Sequence, residues 1–126
     1  MRVSKDDIPV KIGAPGATAR QLSDFGTASG TLGAEYFSLG KGADITPLLE
    51  GLEHDLCQSP HWGYVISGAV TVTYRDGTSE QCRGGDVFFW PAWHTVRADD
   101  DTEVILFSPQ DEHLPVMEHL KAKMGL

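Results

Sequence analysis

The sequence has 126 residues and a mass of 13.7 kDa, which is room for a single domain. Ten Lys and Arg residues stand against 18 Asp and Glu residues, giving a formal net charge of −8, so the chain is a poor candidate for binding nucleic acid or an anionic membrane. No apolar run approaches the roughly 20 residues of a membrane helix, and the start of the chain lacks the apolar core of a signal peptide. With only two cysteines, we expect a cytoplasmic protein with reduced thiols.

The first half of the chain carries few strong signals of secondary structure. We expect N-terminal strands within residues 1–30 and a further strand over residues 31–39, which two glycines bound. Pro47 follows Thr46 at a point where proline is favoured as the first helical residue, so one helical turn is predicted there.

The second half reads as a series of short strands. Residues 69–74 alternate between apolar and threonine side chains, which is typical of a half-buried strand, and Asp76-Gly77 then predicts a tight hairpin turn. Further strands are predicted at the following positions: residues 78–83, 87–90, 94–97 and 103–107. Many short strands separated by Gly and Pro turns indicate an all-β antiparallel barrel or sandwich.

A short helix is expected at the C-terminal end. Pro115 is placed to open it and Gly125 to end it, over about residues 115–124. Its apolar stripe is interpreted as ordinary packing and consists of Val116, Met117, Leu120 and Met124. The two histidines of this segment, His113 and His119, are expected to be exposed.

Four side chains in the middle of the chain could bind a metal. His54, Cys57 and His61 lie within eight residues, and His94 enters from a different predicted strand. Imidazole and thiolate groups suit Zn, Fe, Ni or Cu, and a barrel interior can bring distant strands around one ion. The alternative is that these are buried histidines with hydrogen-bond partners and that Cys57 is a small buried hydrophobe. The second cysteine, Cys82, is interpreted as a packing residue.

Three segments resemble the cupin superfamily, and in particular its small single-domain members. They are residues 61–68 (HWGYVISG), the Asp76-Gly77 turn and residues 85–91 (GDVFFWP), within a likeness that covers about residues 31–108. The resemblance implies an antiparallel barrel of the jelly-roll type and a homodimer. It also implies a metal in the barrel, which most members hold with two histidines and a glutamate from a first motif and one histidine from a second.

The sequence departs from both family motifs. His61 stands where the family has its glutamate, and the positions of the two histidines hold Asp55 and Cys57. A one-residue longer spacing, also seen in the family, puts His54 at one of these positions. In the second motif Trp93 stands where the family has a glycine, and His94 follows it directly.

The ligand set that the resemblance implies is therefore unusual. The preferred ligands are His61, His94 and Cys57, with His54 or Asp55 as a fourth. The ion would be a divalent transition metal (Zn, Fe, Ni or Mn), because a thiolate disfavours the oxygen-ligated Mg and Ca.

Aromatic residues surround both motifs and predict a pocket. If His61 points into the barrel, Val65 does so too, and Trp62 and Tyr64 face outward, because neighbours on a strand alternate. Most of the aromatic residues are expected to be plain core, and the expected pocket lining is Trp93, Trp90, Phe88 and Val65.

Two functional classes follow, and the sequence does not decide between them. The first is a metal-dependent enzyme of the oxygenase, isomerase or lyase type, acting on a small organic substrate, with Glu53 or Asp55 available as a base. The second is a non-enzymatic barrel that binds or senses a small molecule without a metal, in which the histidines only donate and accept hydrogen bonds.

Overall fold

The computed structural model describes residues 5–24 and 30–126. Residues 1–4 and 25–29, which belong to the stretch expected to form N-terminal strands, lie outside the described residues. The strands are β1 (Val10–Ala14), β2 (Ala17–Leu22), β3 (Leu32–Leu39), β4 (His61–Ser67), β5 (Ala69–Tyr74), β6 (Ser79–Arg83), β7 (Val87–Trp90), β8 (His94–Ala98) and β9 (Thr102–Pro109). The α-helices are α1 (Thr46–Leu49) and α2 (Gln110–Lys123).

The strands form two antiparallel sheets. One has six strands in the order β1-β2-β3-β9-β4-β7, and the other has three in the order β6-β5-β8. Buried side chains from both sheets pack into one core, so the sheets face each other as the two walls of a barrel. The members of this first core cluster are Val65, Val70, Val72, Cys82, Phe88, Trp90, Val96, Val104 and Leu106. The expectation of an all-β antiparallel barrel with a C-terminal helix is confirmed.

Local chemistry fixes the strands where the sequence predicts them. The β5–β6 hairpin turns at Gly77, whose φ of 87° is a conformation that side chains disfavour, and Asp76 Oδ1 accepts hydrogen bonds from the backbone and hydroxyl of Thr78. In β4, Gly63 allows close approach of the neighbouring strand, since a Cβ there would lie 2.2 Å from the carbonyl oxygen of Ile105.

The two faces of β4 and β7 differ as the alternation predicts. His61, Val65 and Trp90 are buried inside the barrel. On the outer face Trp62 stacks on Phe89 with ring centroids 5.1 Å apart, and both remain about half exposed. This outer face is an exposed apolar surface, whose large members are Trp62, Tyr64, Ile66, Val87 and Phe89.

The C-terminal helix begins at Gln110, earlier than Pro115, the residue expected to open it. Pro115 lies inside α2, where it lacks the N–H that would bond to the carbonyl four residues before it. The first turn forms because Gln110 is buried and its side-chain amide donates to the carbonyl of Ser108 and accepts from Gln21.

Helix α2 packs against the inner face of the N-terminal strands in a second core cluster. The buried members of this cluster are Ile12, Leu49, Cys57, Val116, Met117 and Leu120. Phe37 and Ile45 pack against both clusters and so join them. Among the described residues, no helix is both long enough and apolar enough to cross a membrane.

Candidate metal centre

Three of the predicted ligands meet inside the barrel. Cys57, His61 and His94 are all buried, and each offers one ligand atom within 4.8 Å of those of the other two. The rings of His61 and His94 have their centroids 5.0 Å apart, and Cys57 Sγ lies 3.6 Å from His61 Nε2. This arrangement joins a loop to the first residues of β4 and β8.

Backbone hydrogen bonds hold Cys57 beside His94. The backbone N–H of Cys57 donates to the carbonyl of His94 at 2.9 Å, and the N–H of Trp93 donates to the carbonyl of Cys57 at 2.7 Å. Trp93 has a φ of 72°, so it adopts the left-handed conformation that favours glycine, at the position where the second motif of the resembling family has one. Trp93 thus takes the strained conformation that a glycine would adopt easily, and the next residue, His94, lies in the cluster.

The hydrogen bond of His94 fixes its tautomer. Its Nδ1 lies 2.8 Å from the carbonyl oxygen of Pro91, and because a carbonyl can only accept, Nδ1 carries the proton. The lone pair of neutral His94 is therefore on Nε2. An outward Nδ1–H bonded to a carbonyl is the usual arrangement of a metal-ligating histidine.

The tautomer of His61 is fixed through two further residues. The hydroxyl of Ser108 donates to Glu35 Oε1 at 2.5 Å, so its oxygen accepts from His61 Nδ1 at 2.6 Å. The free lone pair of His61 is therefore on Nε2, the atom that faces Cys57 Sγ. Both histidines thus have their Nε2 atoms available to a cation next to the sulfur.

The charge states agree with this donor set. Burial, and next the positive charge of His113, lower the pKa of His61 to about 4, so His61 is neutral near pH 7. Burial opposes ionisation of Cys57, yet its hydrogen bond with the positively charged His113 holds the pKa of the thiol well below its ordinary value. A neutral imidazole and a thiolate are the ionisation states that a transition metal requires of its ligands.

Sequence reasoning missed two buried residues next to this cluster, Glu35 and His113. Glu35 Oε2 lies 2.6 Å from His113 Nδ1 and accepts a hydrogen bond from Gln21 at 3.1 Å. Burial opposes the charge on His113, but the carboxylate of Glu35 and then Cys57 raise its pKa to about 10. The expectation that His113 is exposed is wrong, because α2 starts earlier than predicted and turns this residue inward. His119, also expected to be exposed, is half-buried, and its Nε2 lies 2.9 Å from the carbonyl oxygen of Glu50.

Glu35, His61 and His113 also form a group whose ligand atoms lie within 4.8 Å of one another. The carboxylate oxygens of Glu35 are already engaged by Ser108, Gln21 and His113. Glu35 is therefore the outer partner of His61 and His113, and Cys57, His61 and His94 are the group that could hold a metal ion.

The other predicted ligands lie apart from this centre. His54 packs edge-on against Trp93, with ring centroids 4.9 Å apart, and its Nε2 lies 3.6 Å from Glu53 Oε1. Asp55 Oδ1 accepts a hydrogen bond from the backbone of Gly51. Within residues 5–24 and 30–126, neither His54 nor Asp55 belongs to a potential ligand group.

A cavity of about 100 Å³ adjoins the centre, with Cys57, His61 and His113 in its lining. Of the residues expected to line a pocket, Trp90 does so. Val65 and Phe88 are buried in the first core cluster, and Trp93 lies against His54.

The part of the chain that contains this centre matches a known protein family. Residues 52–109 match the family model described as a cupin domain. The chain has a cupin fold. The match includes Cys57, His61 and His94, and no curated protein matches the sequence.

Solved structures share this fold. The polyketide cyclase RemF from Streptomyces resistomycificus is 18% identical, with a TM-score of 0.58, and the match covers 87% of this chain and 79% of that one. KdgF from a Halomonas species is 24% identical, with a TM-score of 0.55 and coverage of 82% and 90%. Bacillus subtilis oxalate decarboxylase, a protein with Mn(II) centres, is 22% identical, with a TM-score of 0.58. The match spans 85% of this chain but only 28% of the decarboxylase. At these identities the likeness is one of fold.

Proposed function

We propose that this cupin domain binds a divalent transition metal through Cys57, His61 and His94 and acts on a small organic molecule in the adjacent cavity. The observation that carries the proposal is the pair of fixed tautomers. Pro91 and Ser108 hold the Nδ1 protons of His94 and His61, so both Nε2 lone pairs are free beside Cys57 Sγ.

The donor set favours zinc among the candidate metals. One thiolate and two imidazoles suit Zn²⁺, and three protein ligands leave a position open for a substrate, as in catalytic zinc sites. Mn²⁺ prefers carboxylate and water ligands, so the Mn(II) centres of the oxalate decarboxylase are a weaker guide to this chain. A metal at this position would polarise a bound carbonyl or hydroxyl, or activate water.

The protein itself supplies the remaining groups. His113 lines the cavity and, paired with Glu35, presents a protonated imidazole to a bound molecule. Glu35 also orients His61 through Ser108, so one carboxylate holds both the charged imidazole of His113 and a proposed metal ligand. The homodimer and the cytoplasmic location stay predictions.

Metal analysis tests this proposal. Protein purified without a histidine tag or a chelating column should hold about one metal ion per chain, and His61→Ala should lose it. His54→Ala is the matched control and should keep the ion, because His54 packs against Trp93 outside the centre.

A spectroscopic measurement identifies the sulfur ligand. Cobalt-substituted protein should show a thiolate-to-cobalt absorption band that Cys57→Ser removes and Cys82→Ser does not. Metal-free protein whose thermal stability responds neither to zinc nor to a chelator would contradict the proposal and leave the barrel as a ligand-binding module.

A further inference from the structure

The cavity beside the metal centre is apolar almost throughout. It lies where the two core clusters meet, and its walls come from the barrel strands, from α1 and its flanking residues, and from α2. Phe37, Leu48, Met117 and Leu120 are representative wall residues. Such a wall repels water and stabilises hydrocarbon surface.

The lining of the cavity has few polar side chains, and most of them lie together at the candidate metal centre. Cys57, His61 and His113 belong to the centre, and Thr18 of β2 is the remaining polar lining residue in the described part of the chain. The same lining contains no Lys or Arg. A molecule with one polar group can place it at the centre, but a second charged group would lie against hydrocarbon without a partner.

The size of the cavity limits the apolar part of the ligand. Its volume is about 100 Å³. A cavity of roughly 150 Å³ lined by aliphatic and aromatic side chains accepts benzene. The space here therefore suits a short hydrocarbon chain or at most a single ring.

We propose that the substrate is a small, mainly apolar molecule with a single oxygen-bearing head group. The head lies at the metal centre beside His113, and the hydrocarbon part fills the space between the core clusters. The placement of the head rests on the proposed metal site, whereas the apolar selectivity rests on the cavity alone. A small dicarboxylate such as oxalate should not bind, because it has two charges and no apolar part.

Titration calorimetry on the purified protein, with its metal content measured in the same sample, tests this inference. The probes are phenol, benzene and oxalate. Phenol should bind most tightly, benzene more weakly, and oxalate not measurably. His61→Ala should abolish the preference for phenol over benzene.

A larger side chain in the cavity wall should prevent binding of the hydrocarbon part of the ligand and leave metal binding unchanged. Ala19 lies in the cavity wall, and Ala19→Leu should weaken both phenol and benzene by at least about tenfold with the metal content unchanged. The matched control Ala122→Leu, at an exposed position of α2, should change neither. Leu120→Ala enlarges the space and should increase the affinity for the two-ring probe 2-naphthol, which keeps the test open if Ala19→Leu fails to fold.

The outcomes separate the two proposals. Metal-free protein that binds benzene and phenol equally, with both lost in Ala19→Leu, would overturn the metal site and support the apolar cavity. Metal-loaded protein that binds oxalate, or binds phenol equally well in Ala19→Leu, would overturn this inference and leave the metal site standing.

Discussion

The two cysteines of this barrel are both buried, yet their surroundings push their thiols in opposite directions. Cys57 is 2% exposed and Cys82 is 6% exposed. Burial raises the pKa of Cys82. The indole N–H of Trp90, which donates to its sulfur at 3.4 Å, opposes this rise, and the nearby Glu80 and Asp86 add to it. Burial opposes ionisation at Cys57 too, but the hydrogen bond with the positively charged His113 lowers its pKa well below the ordinary value.

The difference teaches that partners, and not depth, decide what a buried thiol does. Cys82 belongs to the first core cluster, among valine and aromatic side chains. Cys57 lies in the second cluster at its contact with His61 and His94. One barrel thus holds a packing thiol and a ligand-like thiol, and substitutions around each should give different results.

The largest effect on stability is expected at Glu35, the carboxylate that pairs with His113 next to Cys57. Glu35→Gln removes the carboxylate charge beside His113 and leaves the buried imidazolium with Cys57 alone as its anionic partner, which should lower the free energy of unfolding by about 3–5 kcal/mol. At the second cysteine, Cys82→Ala leaves the Trp90 N–H without its acceptor and should lower the free energy of unfolding by only about 1–3 kcal/mol. Urea denaturation of metal-free protein measures both.

A surface pair provides the control for Glu35. Glu118 pairs with Lys11 on the outside of α2, so Glu118→Gln makes the same chemical change in water and should leave the unfolding free energy nearly unchanged. The double variant Glu35→Gln/His113→Gln should recover part of the loss. Equal losses of unfolding free energy for Glu35→Gln and Glu118→Gln would mean that the buried pair of Glu35 and His113 does not stabilise the fold more than a surface pair does.

A smaller effect is expected at Ser108, which reaches Cys57 only through His61. Ser108→Ala removes the acceptor of the His61 Nδ1 proton and should weaken zinc binding by roughly 10- to 100-fold, the usual effect of losing an outer hydrogen bond at a metal site. Ser59→Ala is the matched control, because Ser59 is also buried and its hydroxyl donates to the carbonyl of Pro60. Competition with a zinc indicator measures the affinities, and equal weakening in both variants would argue against the relay through Ser108.

Much of the fold could be predicted from the sequence because it depends on local pattern. The alternation in β5, the Asp76-Gly77 turn and the opposite faces of β4 all follow from neighbours along the chain. The meeting of Cys57, His61 and His94 was also predicted, since these residues stand at or near the two motifs on which the family resemblance rests.

The positions of Glu35, Ser108 and His113 around the centre could not be predicted, because they depend on contacts between segments that are far apart in the sequence. Glu35 reaches His61 only because β3 pairs with β9, which places Ser108 between them. His113 points inward because α2 begins at Gln110, whereas Pro115 suggested a later start. One signal was available: His113 continues the helical spacing of the buried residues Val116, Met117 and Leu120.

The smallest expected effect, a shift in thiol titration, tests the comparison of the two cysteines most directly. In metal-free Cys82→Ala protein the ultraviolet absorbance of the thiolate reports Cys57 alone, and in Cys57→Ala it reports Cys82 alone. Cys57 should ionise well below its ordinary pKa of 9.0 and Cys82 above it. Adding His113→Gln to the Cys82→Ala background should move the Cys57 midpoint upward, because the charged donor that stabilises the thiolate is lost. Coincident midpoints for the two cysteines would mean that burial outweighs the histidines, and Cys57 would then be a packing residue like Cys82.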